Sequence, residues 1–147
     1  MSDNFYQNLK FLVEKLQGIN YALIGSANLY LRGFKLEPKD IDIFTNSEEI
    51  FKIDSILQEY RTKEIYFDAK GLNSYLGYYR IDDVDIEIQG NVNNPCRYIE
   101  SLGRKEQIMF KSIVSPCISL LDELETYKKM NRLDKVKLVE DFLRINC

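Results

Sequence analysis

The sequence predicts an α+β domain in which a small mixed β-sheet is flanked by helices, and three observations predict it. Helix-period and strand-period segments alternate through the first half of the chain. A two-residue connection, Asp82-Asp83, separates two strand-like runs and implies an antiparallel hairpin. Two consecutive helix-period segments close the sequence. With 147 residues, 45% of them hydrophobic, the chain can bury a core without disulfides or a structural metal, and residues 1–147 are expected to form one domain.

The elements follow in order. Phe5, Leu9, Leu12, Val13 and Leu16 recur at helical spacing and Gly18 is a stop signal, so residues 1–17 predict an amphipathic helix. Residues 21–24 are a short apolar strand, Gly25-Ser26 turns the chain into a helix over residues 27–32, and Gly33 ends it. Pro38 marks a loop, and residues 40–45 alternate polar and apolar as a strand does. Ser47 is a candidate cap for a helix that buries Ile50, Phe51, Ile53, Ile56 and Leu57. Strands are predicted over residues 62–67, 74–81 and 84–88, a loop over 91–95, a short helical turn over 98–103 and a further strand over 107–114. "SPCISLLDELETYKKM" and "NRLDKVKLVEDFLRI" read as the two closing helices.

Composition excludes several kinds of function. Lys plus Arg total 20 against 23 for Asp plus Glu, a net charge of −3, which argues against gripping nucleic acid through the overall field. A local patch such as Arg32, Lys35 and Lys39 could still hold an RNA end. "MSDNFYQNLKFLVEKLQG" has neither the basic start nor the apolar core of a signal peptide, and no apolar run reaches membrane-spanning length. The expectation is a soluble, cytoplasmic protein with no membrane partner. Cys96, Cys117 and Cys147 are widely spaced and odd in number, so they predict reduced thiols, with Cys117 a small core residue. The sequence contains no histidine, which removes every mechanism that needs an imidazole base or a His-ligated zinc.

Chemistry concentrates in the carboxylates. Strand residues two apart project to one side, so Asp40 and Asp42 share a face while Ile41 and Ile43 enter the core. Two such charges repel unless divalent cations hold them together, as two Mg²⁺ ions do in phosphoryl displacement. In "DDVDIEI" the same alternation places Asp83, Asp85 and Glu87 on the face opposite Val84, Ile86 and Ile88. Asp85 is favoured as the third carboxylate, because Asp83 also suits a turn and Glu87 a solvated strand position. The Gly25-Ser26 turn adds backbone N–H groups and a hydroxyl suited to a phosphate.

"IGS", followed after 13 residues by "DID" and later by a further Asp in a strand, resembles the signature of the DNA polymerase beta-type nucleotidyltransferase superfamily. The resemblance implies a nucleotidyltransferase-like sheet and transfer of a nucleoside monophosphate from a Mg²⁺-bound nucleoside triphosphate, ATP or another, to an acceptor hydroxyl or phosphate. It implies that Gly25 and Ser26 hold the triphosphate and that Asp40, Asp42 and Asp85 are the catalytic, metal-ligating residues. "VSPCISLLDELETYKKMNRLDKVKLVEDFL" is similar to the C-terminal segment of small stand-alone members, including lincosamide-type and toxin-like nucleotidyltransferases. Those carry a Lys on the first helix and a basic-Asp pair opening the second, both towards the nucleotide. Lys128 and Asp134 are the best matches, with Leu133 where the basic residue stands.

Plainer readings accompany these. Ser26 could serve only as a helix N-cap and Asp40-x-Asp42 only as a solvated edge strand. Lys128 and Lys129 suit a solvated helix face, and Tyr75, Tyr78 and Tyr79 suit packing more than base stacking. The acceptor is left open among a small molecule, an RNA end and a protein. The expected partners are the triphosphate, that acceptor, and a second copy or an antitoxin-like protein. The alternative function is a non-catalytic binding module, or one member of a toxin–antitoxin pair, on the same fold.

Overall fold

The computed structural model describes residues 2–146. Its elements are α1 (Ser2–Lys15), β1 (Tyr21–Ile24), α2 (Gly25–Leu31), β2 (Asp40–Asn46), α3 (Glu49–Ile56), β3 (Arg61–Asp68), β4 (Ser74–Ile81), β5 (Val84–Asn91), β6 (Glu106–Phe110), β7 (Ile113–Cys117), α4 (Leu120–Lys129) and α5 (Leu133–Ile145). Short 3₁₀ turns occupy Gln58–Tyr60 and Ile99–Arg104. The strands form one seven-stranded mixed sheet in the order β3-β4-β5-β2-β1-β7-β6. The β2–β5 and β1–β7 pairs are parallel and the others antiparallel.

Alternation along the strands divides the sheet into two faces. On one, Leu23, Ile41, Ile43, Ile86 and Ile88 join Leu9, Leu12 and Leu16 of α1 and Ile50 and Ile53 of α3 in the main core. On the other, Ala22, Ile24 and Phe44 form a smaller core with Leu102 and Ile118. The two closing helices make a third cluster, in which Leu120, Leu124, Tyr127 and Val139 pack with Leu29 and Phe34, and Phe34 stacks on Phe142 at 4.0 Å. Burying such side chains stabilises by roughly 1.5–3 kcal/mol each, so these clusters fix the sheet against its helices. Among the described residues no helix is long and apolar enough to cross a membrane.

The termini of the elements have local causes. α2 ends in a Schellman turn in which Gly33, at φ +97°, is the left-handed residue and the Phe34 N–H donates to the Leu29 carbonyl. α4 ends in the same way at Asn131, φ +57°, with the Arg132 N–H on the Tyr127 carbonyl. The predicted Asp82-Asp83 hairpin is present, with Ile81 opposite Val84 and Asp82 at φ +53°.

Several sequence expectations are corrected. α2 starts at Gly25 itself, and neither a Ser26 side chain nor any other local side chain caps it. The side chain that meets the start of α3 is that of Asn46, not Ser47, since its Oδ1 accepts from the Glu48 and Glu49 N–H groups, and Phe51 lies exposed against Tyr75. The single strand expected over residues 107–114 is the β6–β7 hairpin. Its two turn residues, Lys111 and Ser112, lack the usual Asn-Gly chemistry, and Tyr6 of α1 holds the turn by accepting from the Ser112 N–H at 3.3 Å. Strand alternation continues through Ser115 and Cys117, so α4 begins later than expected, behind the capping hydroxyl of Ser119. Cys96 and Cys117 are free thiols, and burial pushes that of Cys117 up to about 12; Cys147 lies outside the described residues.

Candidate active site

Register places the acidic residues in rows across the second face of the sheet. Arg80, Asp85 and Asp40 lie side by side on β4, β5 and β2, and the next row is Tyr78, Glu87, Asp42 and Ile24, reaching β1. Phe44 follows Asp42 along β2 and closes the column with apolar surface. Asp40, Asp42 and Asp85 therefore share a face, and so does Glu87, the direct neighbour of Asp42. Asp85 is 60% exposed and accepts from Arg80 at 2.8 Å.

Asp42 is strongly perturbed. Burial, followed by the negative charges of Glu87, Asp40 and Glu123, pushes its carboxyl up from 3.8 to about 7, and Arg97 opposes the shift. Gly25 is the reason the turn tolerates this carboxylate. A Cβ there would stand 3.1 Å from Asp42 Oδ2, and the residue has φ +67°, a conformation that favours glycine. The IGS and DID segments are thus in direct contact.

A cleft of about 340 Å³ opens at this point, lined by Gly25, Ser26, Asp42 and Glu87 together with Arg97, Tyr127, Arg132 and Lys135. A second depression of about 240 Å³ shares Asp42 and Glu87 and continues over Asp40, Asp85, Thr62 and Tyr78. The two hollows meet along the carboxylates. Tyr78 stacks on Tyr66, with ring centroids 6.3 Å apart, and Lys63 Nζ lies 4.3 Å from the Tyr66 centroid. Burial, with Tyr66 and Glu87 alongside, raises the Tyr78 phenol. Tyr79 faces the core and donates to Asp54 at 2.6 Å, and Tyr75 packs on Phe51 and Phe67, so these two are packing residues.

The Gly25 turn is held from behind by a buried network. Glu123 of α4, fully buried, accepts from the Gly25 N–H and from Asn28 Nδ2, both at 2.9 Å, and from Arg97 Nη2 at 2.6 Å. Arg32 turns inward to Asn28 Oδ1, the Ile118 carbonyl and Glu106. Of the residues Arg32, Lys35 and Lys39 that could have formed a basic patch, Arg32 is committed to these neighbours.

Lys128 and Asp134 do not line the cleft. Lys128 is 46% exposed and nearest to Glu125 and Glu140, and Asp134 is 73% exposed beside Arg132. Helical phase is the cause. The α4 stripe that turns inward runs through Glu123, Thr126 and Tyr127, and Lys128 stands about 100° further round. The cations that do line the cleft are Arg97 after β5, Arg132 delivered by the turn at Asn131, and Lys135 one turn along α5. Arg97, Glu123, Arg132 and Lys135 escaped sequence reading. Glu123 alone left a signal, as a charge set between Leu120, Leu124 and Tyr127 on an otherwise apolar stripe.

The mixed sheet, the acidic rows beside a glycine turn and the two closing helices define a nucleotidyltransferase-type fold. In particular, the chain is similar to the crystal structure of a "putative nucleotidyltransferase (TM1012)" from Thermotoga maritima, with 25% identity and a TM-score of 0.80 over 97% of this chain and 94% of that one. It is also similar to a "putative nucleotidyltransferase from H. pylori", at 16% identity and a TM-score of 0.46, over 83% of this chain and 55% of that one. No protein-family model and no curated protein matches the chain.

Proposed function

We propose that this protein is a nucleotidyltransferase that moves a nucleoside monophosphate from a nucleoside triphosphate to an acceptor hydroxyl or phosphate. Asp42 carries the reading. It is a carboxylate pressed against a glycine turn, raised by burial and then by three other carboxylates, and open to a cleft also lined by Arg132 and Lys135. Like charges gathered in a medium of low dielectric constant oppose folding, and they become favourable when a cation and an anion enter together.

The donor set fits Mg²⁺, since carboxylate oxygens are the hard ligands that ion prefers and Asp42 carries an excess of negative neighbours. Asp40 and Asp42 would hold the metal, as one or two ions, with Asp85 or Glu87 as the third carboxylate. Bound there, Mg²⁺ supplies neutralisation of the charge that builds up on the phosphates. The chain's own groups bind and orient. Gly25 leaves room beside the carboxylate, the Ser26 hydroxyl, Arg132 and Lys135 receive the phosphates, and Glu123 fixes the turn. The acceptor enters by the second hollow, over Thr62 and Tyr78. Its oxygen forms a bond to the α-phosphorus while the bond to pyrophosphate breaks, and Asp85 or Glu87 takes the acceptor proton.

The test combines melting temperature with transfer. In the wild type, a nucleoside triphosphate with Mg²⁺ raises the melting temperature and labelled nucleoside monophosphate reaches an acceptor; Asp42→Ala loses both. No rise at millimolar nucleotide would sink the proposal. One observation favours the second reading, a non-catalytic module or a toxin–antitoxin member: among the described residues, no three His, Cys, Asp or Glu side chains stand close enough to hold an ion as they are. A nucleotide-induced rise with no transfer to any acceptor would select it.

A further inference from the structure

We infer that Arg97 is the group that grips the phosphate chain in the cleft and that Glu123 is its positioning residue, an inference that rests on the nucleotidyltransferase reading above. Arg97 follows β5 in a turn fixed by Asn94, whose Oδ1 accepts from the Cys96 and Arg97 N–H groups at 2.8 and 3.0 Å. Its side chain is 6% exposed and lines the cleft with Ser26, Asp42 and Arg132. Nη2 is committed to Glu123, and the guanidinium carbon lies 5.7 Å from the centre of the Phe44 ring. Nη1 is also buried and has no hydrogen-bond partner among the described residues.

Neutralising Glu123 requires a single prong of the guanidinium. A buried donor left over in that role opposes folding, and such donors are few in folded proteins. A guanidinium is a rigid fork of donors matched to paired anionic oxygens, so with one prong on Glu123 the other is set for a second anion. Nη1 is buried without a partner while its residue lines the cleft, so a small turn of the guanidinium is what would offer it to an oxygen held there. Asp42 and Glu87 already supply negative charge to the same cleft, which leaves phosphate oxygens entering with a cation as the matching class. Glu123 also accepts from the Gly25 N–H, and one carboxylate therefore sets both the arginine and the glycine turn against the same ligand. The grip concerns phosphates and is blind to the base.

Calorimetric titration of the whole chain with inorganic tripolyphosphate, a non-hydrolysable ATP analogue and adenosine, each with Mg²⁺, tests this. Arg97→Lys keeps a charge for Glu123 but loses the fork. It is expected to weaken tripolyphosphate and the analogue alike, by about tenfold or more, and to leave adenosine unchanged, a split that a purely structural role would not produce. If Arg97→Lys fails to fold, the paired variant Arg97→Gln with Glu123→Gln leaves no buried charge unpaired and is expected to give the same split. A folded variant that binds tripolyphosphate within about twofold of wild type overturns the inference while the transferase reading stands. Arg97-dependent binding with no transfer to any acceptor keeps the grip and removes the transferase. A wild type that binds neither phosphate probe overturns both.

Discussion

The two walls of the cleft are built on opposite terms. Behind the Gly25 turn, Glu123 meets a backbone N–H, an amide and a guanidinium, and nearly every polar group has a partner. In front of it, against the same turn, Asp42 sits among Glu87, Asp40 and Glu123, all of its own sign and opposed by Arg97. The first wall is intelligible from folding alone except at Arg97 Nη1, its one buried side-chain donor without a partner among the described residues. The second gathers like charges that only Arg97 offsets, and the Mg²⁺ proposed above would relieve them. A frustrated wall held rigid by a satisfied one is how a site keeps unfavourable charges in place until a ligand relieves them.

The contrast is broken most severely from the satisfied side. Glu123→Ala strands the Arg97 guanidinium and frees the Gly25 N–H, and urea unfolding is expected to register a loss of about 3–5 kcal/mol. The frustrated wall responds in the opposite sense. Because the Asp42 carboxyl is raised from 3.8 to about 7, the folded state holds a proton there that the unfolded state has released. Asp42 therefore makes stability fall as pH rises from about 4 to about 7, with no further change above that window. Asp42→Asn is expected to remove this fall and to stabilise the metal-free protein above neutrality by up to about 4 kcal/mol, while abolishing the response to Mg²⁺. A variant less stable than wild type at pH 8 would show that the wall is not frustrated.

Smaller changes sharpen the comparison. Gly25→Ala puts a Cβ 3.1 Å from Asp42 Oδ2 at φ +67°, and is expected to cost about 1–2 kcal/mol in unfolding experiments and to blunt the nucleotide-induced rise in melting temperature. The smallest effect belongs to Arg80→Ala. Its pair with Asp85 is solvent-exposed, so the melting temperature should stay within about 2 °C, while release of Asp85 should lower the Mg²⁺ concentration that half-saturates the thermal shift. An unchanged half-saturation would assign the third carboxylate to Glu87.

Much of this was readable in the chain. Period-two alternation put Asp40 and Asp42 on one face, and spacing marked most strands. What escaped depended on distant contacts. The β6–β7 turn is stabilised by Tyr6 rather than by turn residues. The choice between Asp85 and Glu87 turns on the parallel register of β2 with β5, which sets both on the same face, one opposite Asp40 and the other opposite Asp42. Lys128 and Asp134 were matched by order along the helices, whereas exposure to the cleft follows helical phase and the left-handed turn at Asn131. Arg97 had no periodic context to mark it.

The parallel pairing of β2 with β5 also governs when the site comes into being. β4 and β5 can close locally as a hairpin, but β2 reaches β5 only across α3, β3 and β4, and pairings that close long loops carry a larger entropic cost and form slowly. Until then the carboxylates of the two strands are apart and hydrated, and their repulsion does not hinder the early steps. A chain emerging from the ribosome thus brings its acidic rows together only after β5 has been made and has paired with β2.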